Sequence, residues 1–351
     1  MSELISATDA AAYGAKLSAV QAMPHFPEPL SLNIAKKISE INESMDIFEV
    51  DSQSSAVASS IGSVLAEKRT FTTFSVPHAM HEFYTASFMR LPLVAACVSR
   101  GLGAYTIKAE HSVFLLRDAG WIIFLAESNQ EIMDSIIMAY RISEKALLPS
   151  VVNIDGIPNF REPVLVPTEK KIGNFLPKLK MGAAKTVGAP VGDEYMEMRA
   201  SQHKAMKNAA GVIKNVQDKW DEKFKRLYPT VEKYMMDDAE YALVVAGFHS
   251  STGKAAVNRL REQGEKAGLL RIRVLRPFPE DEIKEALQQI KKAGVVDQSV
   301  SPGATGQLYT EIRPLCNAAS FTSIGRHISE KDFIDMFSAL KTEGKERFWV
   351  M

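Results

Sequence analysis

Several places in the chain combine residue type and spacing in ways that suggest chemistry. Gly247 to Lys254, GFHSSTGK, lies between a predicted strand and a predicted helix, where a phosphate-binding loop would stand. Such a loop needs four residues between its glycines, so that successive amides close around one phosphate, and a hydroxyl after the lysine for a metal. Here five residues intervene and Ala255 follows Lys254, so the segment reads as a β–α turn with helix-capping Ser and Thr. His81 and Glu82 begin like a zinc-protease helix, but the position four after His81 holds Thr85, so no metal site follows. His78 and His81 fit one helix face as packing and surface residues better than as ligands. Cys97, inside LPLVAACVS, and Cys316, in a predicted helix, are the two cysteines of the chain. Two cysteines build neither a disulfide framework nor a zinc or iron–sulfur site, and both read as small buried hydrophobes. Glu110, His111, Arg117 and Asp118 form a polar cluster in a loop ahead of Trp121. Loops at strand ends often line sites, although such a cluster is more commonly a solvated salt-bridge network, and these four rank second as candidates.

The elements that must position any site follow from hydrophobic patterning. Apolar runs rich in β-branched residues alternate with segments of helical period, the pattern of a parallel sheet with helices on its faces. IFEV (47 to 50), TFTTFS (70 to 75), LPLVAACVS (91 to 99), WIIFLA (121 to 126) and SVVNID (150 to 155) read as strands, with a weaker one before Met23. Ile34, Ile38 and Ile41 mark one of the amphipathic helices between them. From about 160 to 195, four prolines and four glycines interrupt the pattern and give an apolar connector, followed by a long charged helix over 196 to 227. A second α/β unit then runs through YALVVAG, a helix containing Val257 and Leu260, LLRIRVL, a helix from Asp281, and GVVDQS. The expected fold class is α/β, two domains with mostly parallel sheets flanked by helices: 1–160, a connector with the long helix over 161–237, and 238–351. A chain of 351 residues, 46% hydrophobic, is long enough for two such cores.

Lys plus Arg and Asp plus Glu both count 42, so there is no net charge to draw the chain to nucleic acid or anionic lipid. The start, MSELISATDAAAYGAK, lacks the basic and apolar stretches of a signal peptide, and no run approaches the roughly 20 apolar residues that span a bilayer. The expectation is a soluble, cytoplasmic protein that binds neither nucleic acid nor membrane.

Arg69 to Lys145, from RTFTTFSVPHAMHEF through RDAGWIIFLAESNQEIMDSIIMAYRISEK, resembles the α-subunit of the pyruvate:ferredoxin oxidoreductase family. EYMEMRASQHKAMKNA (194 to 209), GLLRIRVLRPFPEDEIKEAL (268 to 287) and VVDQSVSPGATGQLYTEIRP (295 to 314) resemble that family's later signatures in order and spacing. The resemblance implies a thiamine-diphosphate fold split among subunits, in which this chain gives the pyrimidine-side domain and a domain of transketolase C-terminal type. The diphosphate-binding side, magnesium and iron–sulfur clusters would then belong to partner chains, the β, γ and ferredoxin-like subunits of one complex, in keeping with the two cysteines.

The site implied by the resemblance is altered. AMPHFPEPL (22 to 30) corresponds to a family segment whose threonine helps bind the 2-oxo acid; Phe26 takes that place, removing a donor and adding apolar surface. His25, on a predicted turn, is the neighbouring group that would replace the hydrogen bond. In VDSQSSA (50 to 56), Gln53 stands where the family has the glutamate that bonds the pyrimidine nitrogen. An amide donates to that nitrogen but exchanges no proton with it. Glu49 and Asp51 are the nearby carboxylates that would substitute, Asp51 if the correspondence is shifted by two. In TTFSVPHAM (72 to 80), Phe74 and Pro77 make a turn bulkier and stiffer than the family's. Arg100 stands where the family pairs an arginine with the substrate carboxylate, work suited to a planar guanidinium fork.

The function this implies is one subunit of a coenzyme A-dependent 2-oxoacid oxidoreductase, with Arg100 and Gln53 in catalytic roles and His25, Phe26, Phe74 and Arg100 lining a pocket for an acid bulkier than pyruvate, such as an aryl-glyoxylate. The alternative, from the paired loss of threonine and glutamate, is a non-catalytic structural or regulatory subunit of such a complex.

Overall fold

The computed structural model describes residues 2–75, 78–100, 111–155, 160–179, 191–342 and 347–350. The apolar runs of the first half form four parallel strands in the spatial order Phe71–Phe74, Val94–Val98, Ser150–Ile154, Ile122–Leu125. All their residues are buried, which is why they read as continuous apolar runs and not as alternating ones. On one face Val94, Ala96 and Val98 pack with Met133, Ile136 and Tyr140 of the helix Asn129–Ala146. On the other, Ala95 and Cys97 pack with Val57 of Gln53–Leu65 and Phe83 of Met80–Phe88. The helix Asn129–Ala146 is also flanked by Ala7–Leu17 and by the long helix Asp193–Phe224. Gly14 makes the first of these approaches possible, because a Cβ there would stand 2.9 Å from Ile136 Cβ. Beside the sheet, Ala22–His25 pairs in parallel with Asp46–Glu49 and is tied across by a Thr72 hydroxyl donating to the Pro24 carbonyl at 2.9 Å.

The second half forms a six-stranded sheet in the order Arg347–Trp349, Ala318–Thr322, Lys292–Asp297, Tyr241–Ala246, Ala267–Ile272, Val231–Tyr234. It is parallel except for Val231–Tyr234 at its edge. The fold is α/β with mostly parallel sheets flanked by helices.

Four local expectations change. LLRIRVL is not one strand: Ala267–Ile272 belongs to the second sheet, while Val274–Arg276 crosses over and pairs antiparallel with Ile122–Leu125 of the first. Arg273, at the crossing, is 1% exposed and is held by Glu131, Nε to Oε1 at 2.6 Å, so a charged residue inside an apolar run marks the switch between sheets. The connector is more regular than its prolines suggest, since Arg161–Leu165 is a strand pairing antiparallel with the N-terminal Ser2–Ser6, and Thr168 caps the helix Glu169–Phe175. Cys316 lies in a bend after the helix Gln307–Ile312, not in a helix. His78 precedes the helix in which His81 stands, so the two share no helix face.

Candidate functional site

The carboxyl ends of parallel strands are where open α/β sheets place their ligands, and here those ends carry the polar groups singled out in sequence together with two that were not. Gln53 opens the helix Gln53–Leu65 behind the N-cap Ser52, whose hydroxyl accepts from Ser55 N. That start turns Gln53 inward, 5% exposed, and leaves Asp51 outward and exposed. Arg100 follows Val94–Val98, and Ser75 follows Phe71–Phe74. All three converge on Glu28, at the N-cap of the helix Pro29–Ile41. Gln53 Nε2 donates to Glu28 Oε1, Ser75 Oγ donates to Oε2, and Arg100 Nη2 donates to Oε1 at 3.4 Å. The Glu28 side chain is 11% exposed and that of Arg100 22%. Glu28 makes no capping bond to its own helix, yet the positive end of that helix favours a carboxylate there.

The residues named from sequence separate accordingly. Gln53 and Arg100 are brought together. Asp51 accepts from the Ser55 hydroxyl at 2.5 Å, which holds its carboxyl below the usual value, and points to solvent with Glu49 also exposed. His25 is not on a solvated turn: it ends the strand Ala22–His25, is 2% exposed, and its Nδ1 has no hydrogen-bond partner among the described residues. Burial lowers its imidazole below the ordinary value against the opposing pull of Glu49. Phe26 is half-buried. Phe74 does not line this cluster. Its ring is buried against Phe83 at 4.8 Å between centroids, and Phe83 meets Trp121 edge-on at 5.3 Å, so Phe74 belongs to the core. Pro77 and Glu110 lie outside the described residues. Arg117 pairs with Asp118 and with Glu311 of the second half, a contact between the halves.

His111 belongs to a second buried group where the strand ends of the two sheets meet. Its Nε2 lies 3.2 Å from Asp155 Oδ1, and Asp155 Oδ2 accepts from Phe248 N at 2.7 Å. Burial pushes Asp155 up, but His111 and that N–H together hold its carboxyl below the ordinary value. GFHSSTGK therefore does form a β–α turn, with a different cap: the helix His249–Glu262 has no side-chain cap of its own, and Asp155 from the first half serves its N-terminus. Gly247 is required there, with φ +68° and a Cβ position 2.0 Å from Asp155 Oδ2. Cys97, in the layer beneath, is a buried thiol pushed up to about 12.

Glu28 and Ser75 are the site residues missed in sequence. The available signal for Glu28 was an acidic residue between two prolines, a few residues after a predicted strand and at a helix start.

Comparison with known proteins gives the same frame. Residues 11–218 match the family described as pyruvate flavodoxin/ferredoxin oxidoreductase, thiamine diP-binding, and residues 239–331 match pyruvate:ferredoxin oxidoreductase core domain II. The chain is 34% identical over 333 residues to pyruvate synthase subunit PorA of Methanothermobacter thermautotrophicus, covering 89% of this chain and 87% of that one. It is 30% identical over 361 residues to the α subunit of NADH-dependent phenylglyoxylate dehydrogenase of Aromatoleum evansii, covering 94% and 85%. Among solved structures, 2-oxoglutarate:ferredoxin oxidoreductase from Magnetococcus marinus, with 2-oxoglutarate, coenzyme A and succinyl-CoA bound, superposes with a TM-score of 0.76 at 16% identity, over 96% of this chain and 65% of that one.

Proposed function

The chain belongs to the pyruvate:ferredoxin oxidoreductase family as a thiamine-diphosphate-dependent 2-oxoacid oxidoreductase subunit, and from that premise we propose that it forms the pyrimidine-side wall of a site that converts a 2-oxo acid bulkier than pyruvate, with coenzyme A, to acyl-CoA, carbon dioxide, two electrons and a proton. The observation that carries this is the convergence of Gln53 and Arg100 on one partly buried carboxylate at the strand ends. The residues fit the cofactor's pyrimidine, which offers both ring acceptors and an amino donor: Gln53 Oε1 is a buried acceptor with no hydrogen-bond partner among the described residues. When bound, thiamine diphosphate supplies the nucleophilic carbon that attacks the keto group and keeps the electron pair left by departing carbon dioxide.

The chain's own residues supply binding and orientation. Gln53 would face the aminopyrimidine. Arg100, braced by Glu28, presents its fork to the substrate carboxylate. Phe26 replaces a small polar contact with apolar surface, and His25 Nδ1 offers the hydrogen bond the missing threonine would give. Since Phe74 is in the core, the case for a bulky substrate rests on Phe26. Magnesium, the diphosphate contacts and the iron–sulfur clusters are assigned to β, γ and ferredoxin-like partner chains in a cytoplasmic complex. Among the described residues no helix is long and apolar enough to cross a membrane. A purely structural subunit would be expected to fill the strand ends with apolar side chains instead of a half-enclosed carboxylate and guanidinium.

The test is to purify the native complex through this subunit, identify bound thiamine diphosphate and co-purifying chains by mass spectrometry, and assay pyruvate and phenylglyoxylate with coenzyme A and a dye acceptor. Higher kcat/KM for the aromatic acid is expected. Equal or faster turnover of pyruvate refutes the bulky substrate, and absence of cofactor and turnover refutes the enzyme reading.

A further inference from the structure

Gln53 presents two chemically opposite atoms, an acceptor oxygen and a donor nitrogen, and an isolated amide turns either way. Glu28 fixes the choice. A carboxylate that receives bonds from Ser75 and Arg100 is an acceptor, so the atom of Gln53 that meets it is Nε2. Oε1 is then the atom that remains, buried and without a partner among the described residues. Glu28 is itself immobilised. Its second oxygen is engaged by Ser75, and it makes no bond back to its own helix.

Resting on the thiamine-diphosphate reading above, we propose that Glu28 is a positioning residue that holds the Gln53 amide with its oxygen toward the aminopyrimidine, so that position 53 accepts a hydrogen bond from a protonated ring nitrogen. This reverses the polarity expected from the sequence, in which a glutamine donates to the neutral ring. The difference is chemical: an acceptor favours the protonated ring, as the family's glutamate does, whereas a donor favours the neutral one. Gln53 gains and loses no proton itself. It biases where the ring's proton resides, and the charge that enforces the bias sits one hydrogen bond farther back, on a different strand end.

The test uses the purified native complex and Glu28→Gln, which keeps the shape but can donate or accept and so releases the amide. Two readouts need no substrate: the apparent pKa of the bound aminopyrimidine, followed by circular dichroism of the cofactor across pH, and deuterium exchange at the cofactor's reactive carbon, followed by NMR. E28Q is expected to lower that pKa by about one unit, a tenfold loss of the protonated form, with a similar slowing of exchange. The double variant E28Q/Q53E moves the carboxylate across the same hydrogen bond and is expected to restore both. Unchanged pKa and exchange in E28Q with cofactor bound would overturn the positioning role while leaving the cofactor reading intact. Loss in E28Q that the double variant fails to rescue also overturns it, since the defect is then one of packing. A wild-type complex that binds no thiamine diphosphate overturns the reading on which the inference stands.

Discussion

Replacing Glu131 with glutamine tests how the two halves of the chain are held together. Glu131 lies on the central helix of the first half and bonds two arginines of the second: Arg271 Nη2 at 2.5 Å and Arg273 Nε at 2.6 Å. Their side chains are 3%, 3% and 1% exposed. Arg271 has further carboxylates in Glu127 at 3.2 Å and Glu232 at 3.1 Å, but Arg273 has no carboxylate other than Glu131 among the described residues. E131Q leaves that guanidinium buried without its counter-charge, a change that costs about 3–5 kcal/mol. At about 2–4 °C per kcal/mol for a large domain, Tm falls by some 10 °C. The pH dependence supplies the sign. Burial raises the Glu131 pKa, Arg271 and Arg273 outweigh it, and the net direction is down. A folded-state pKa below the unfolded one gives stability that is present above the ordinary glutamate value, about 4.3, and is lost as pH falls through the lower folded value. Denaturant titrations of wild type and E131Q should therefore differ fully at pH 7 and converge in acid. Equal midpoints at pH 7, or a difference that persists undiminished toward pH 3, would refute the role given to this network.

The two phenylalanines are expected to part company. F74A costs about 3–5 kcal/mol as a core truncation and leaves the ratio of kcat/KM for aromatic and aliphatic acids unchanged, while F26T leaves the denaturation midpoint in place and shifts that ratio toward pyruvate; the reverse pattern would return Phe74 to the pocket. Arg100→Lys keeps the charge but loses the fork, so KM for the 2-oxo acid should rise about tenfold or more with cofactor binding unaffected, as measured by steady-state kinetics and cofactor titration. His249 is held down to about 4, chiefly by burial, with Nδ1 donating to Gln298 Oε1 at 3.0 Å and Nε2 accepting from Ile328 N at 3.1 Å. Its lowered pKa gives stability that is present above 6.5 and lost as pH falls toward 4, so H249Q should flatten the stability profile across that window in urea titrations.

Much of the fold was legible because buried parallel strands announce themselves as apolar runs, and those at Val94–Val98 and Tyr241–Ala246 appear where the runs lie. The strand Ser2–Ser6 was not, since a short, partly exposed segment carries little apolar signature and its partner Arg161–Leu165 is more than 150 residues away. In the site, Arg100 and Gln53 were visible through resemblance to a family. Glu28 was not visible, because nothing local distinguishes it from a capping residue; it stands out only when Gln53, Ser75 and Arg100 meet it in space. The helix cap at Phe248 was assigned to neighbouring hydroxyls for the same reason, since the acceptor that serves it, Asp155, comes from the other half of the chain. Position in sequence predicts periodicity well and convergence poorly.

The crossing of Val274–Arg276 into the first sheet has a consequence for synthesis. Ile122–Leu125 becomes an inner strand when a segment made about 150 residues later arrives, a delay of roughly 10–30 s at ordinary translation rates. During that interval the growing chain carries an apolar strand with an open edge, the kind of surface that chaperones cover and that pairs with its own copies. A gene split or truncated ahead of Val274 would make that interval permanent, so the first half is expected to be insoluble alone although its four parallel strands are all encoded within it.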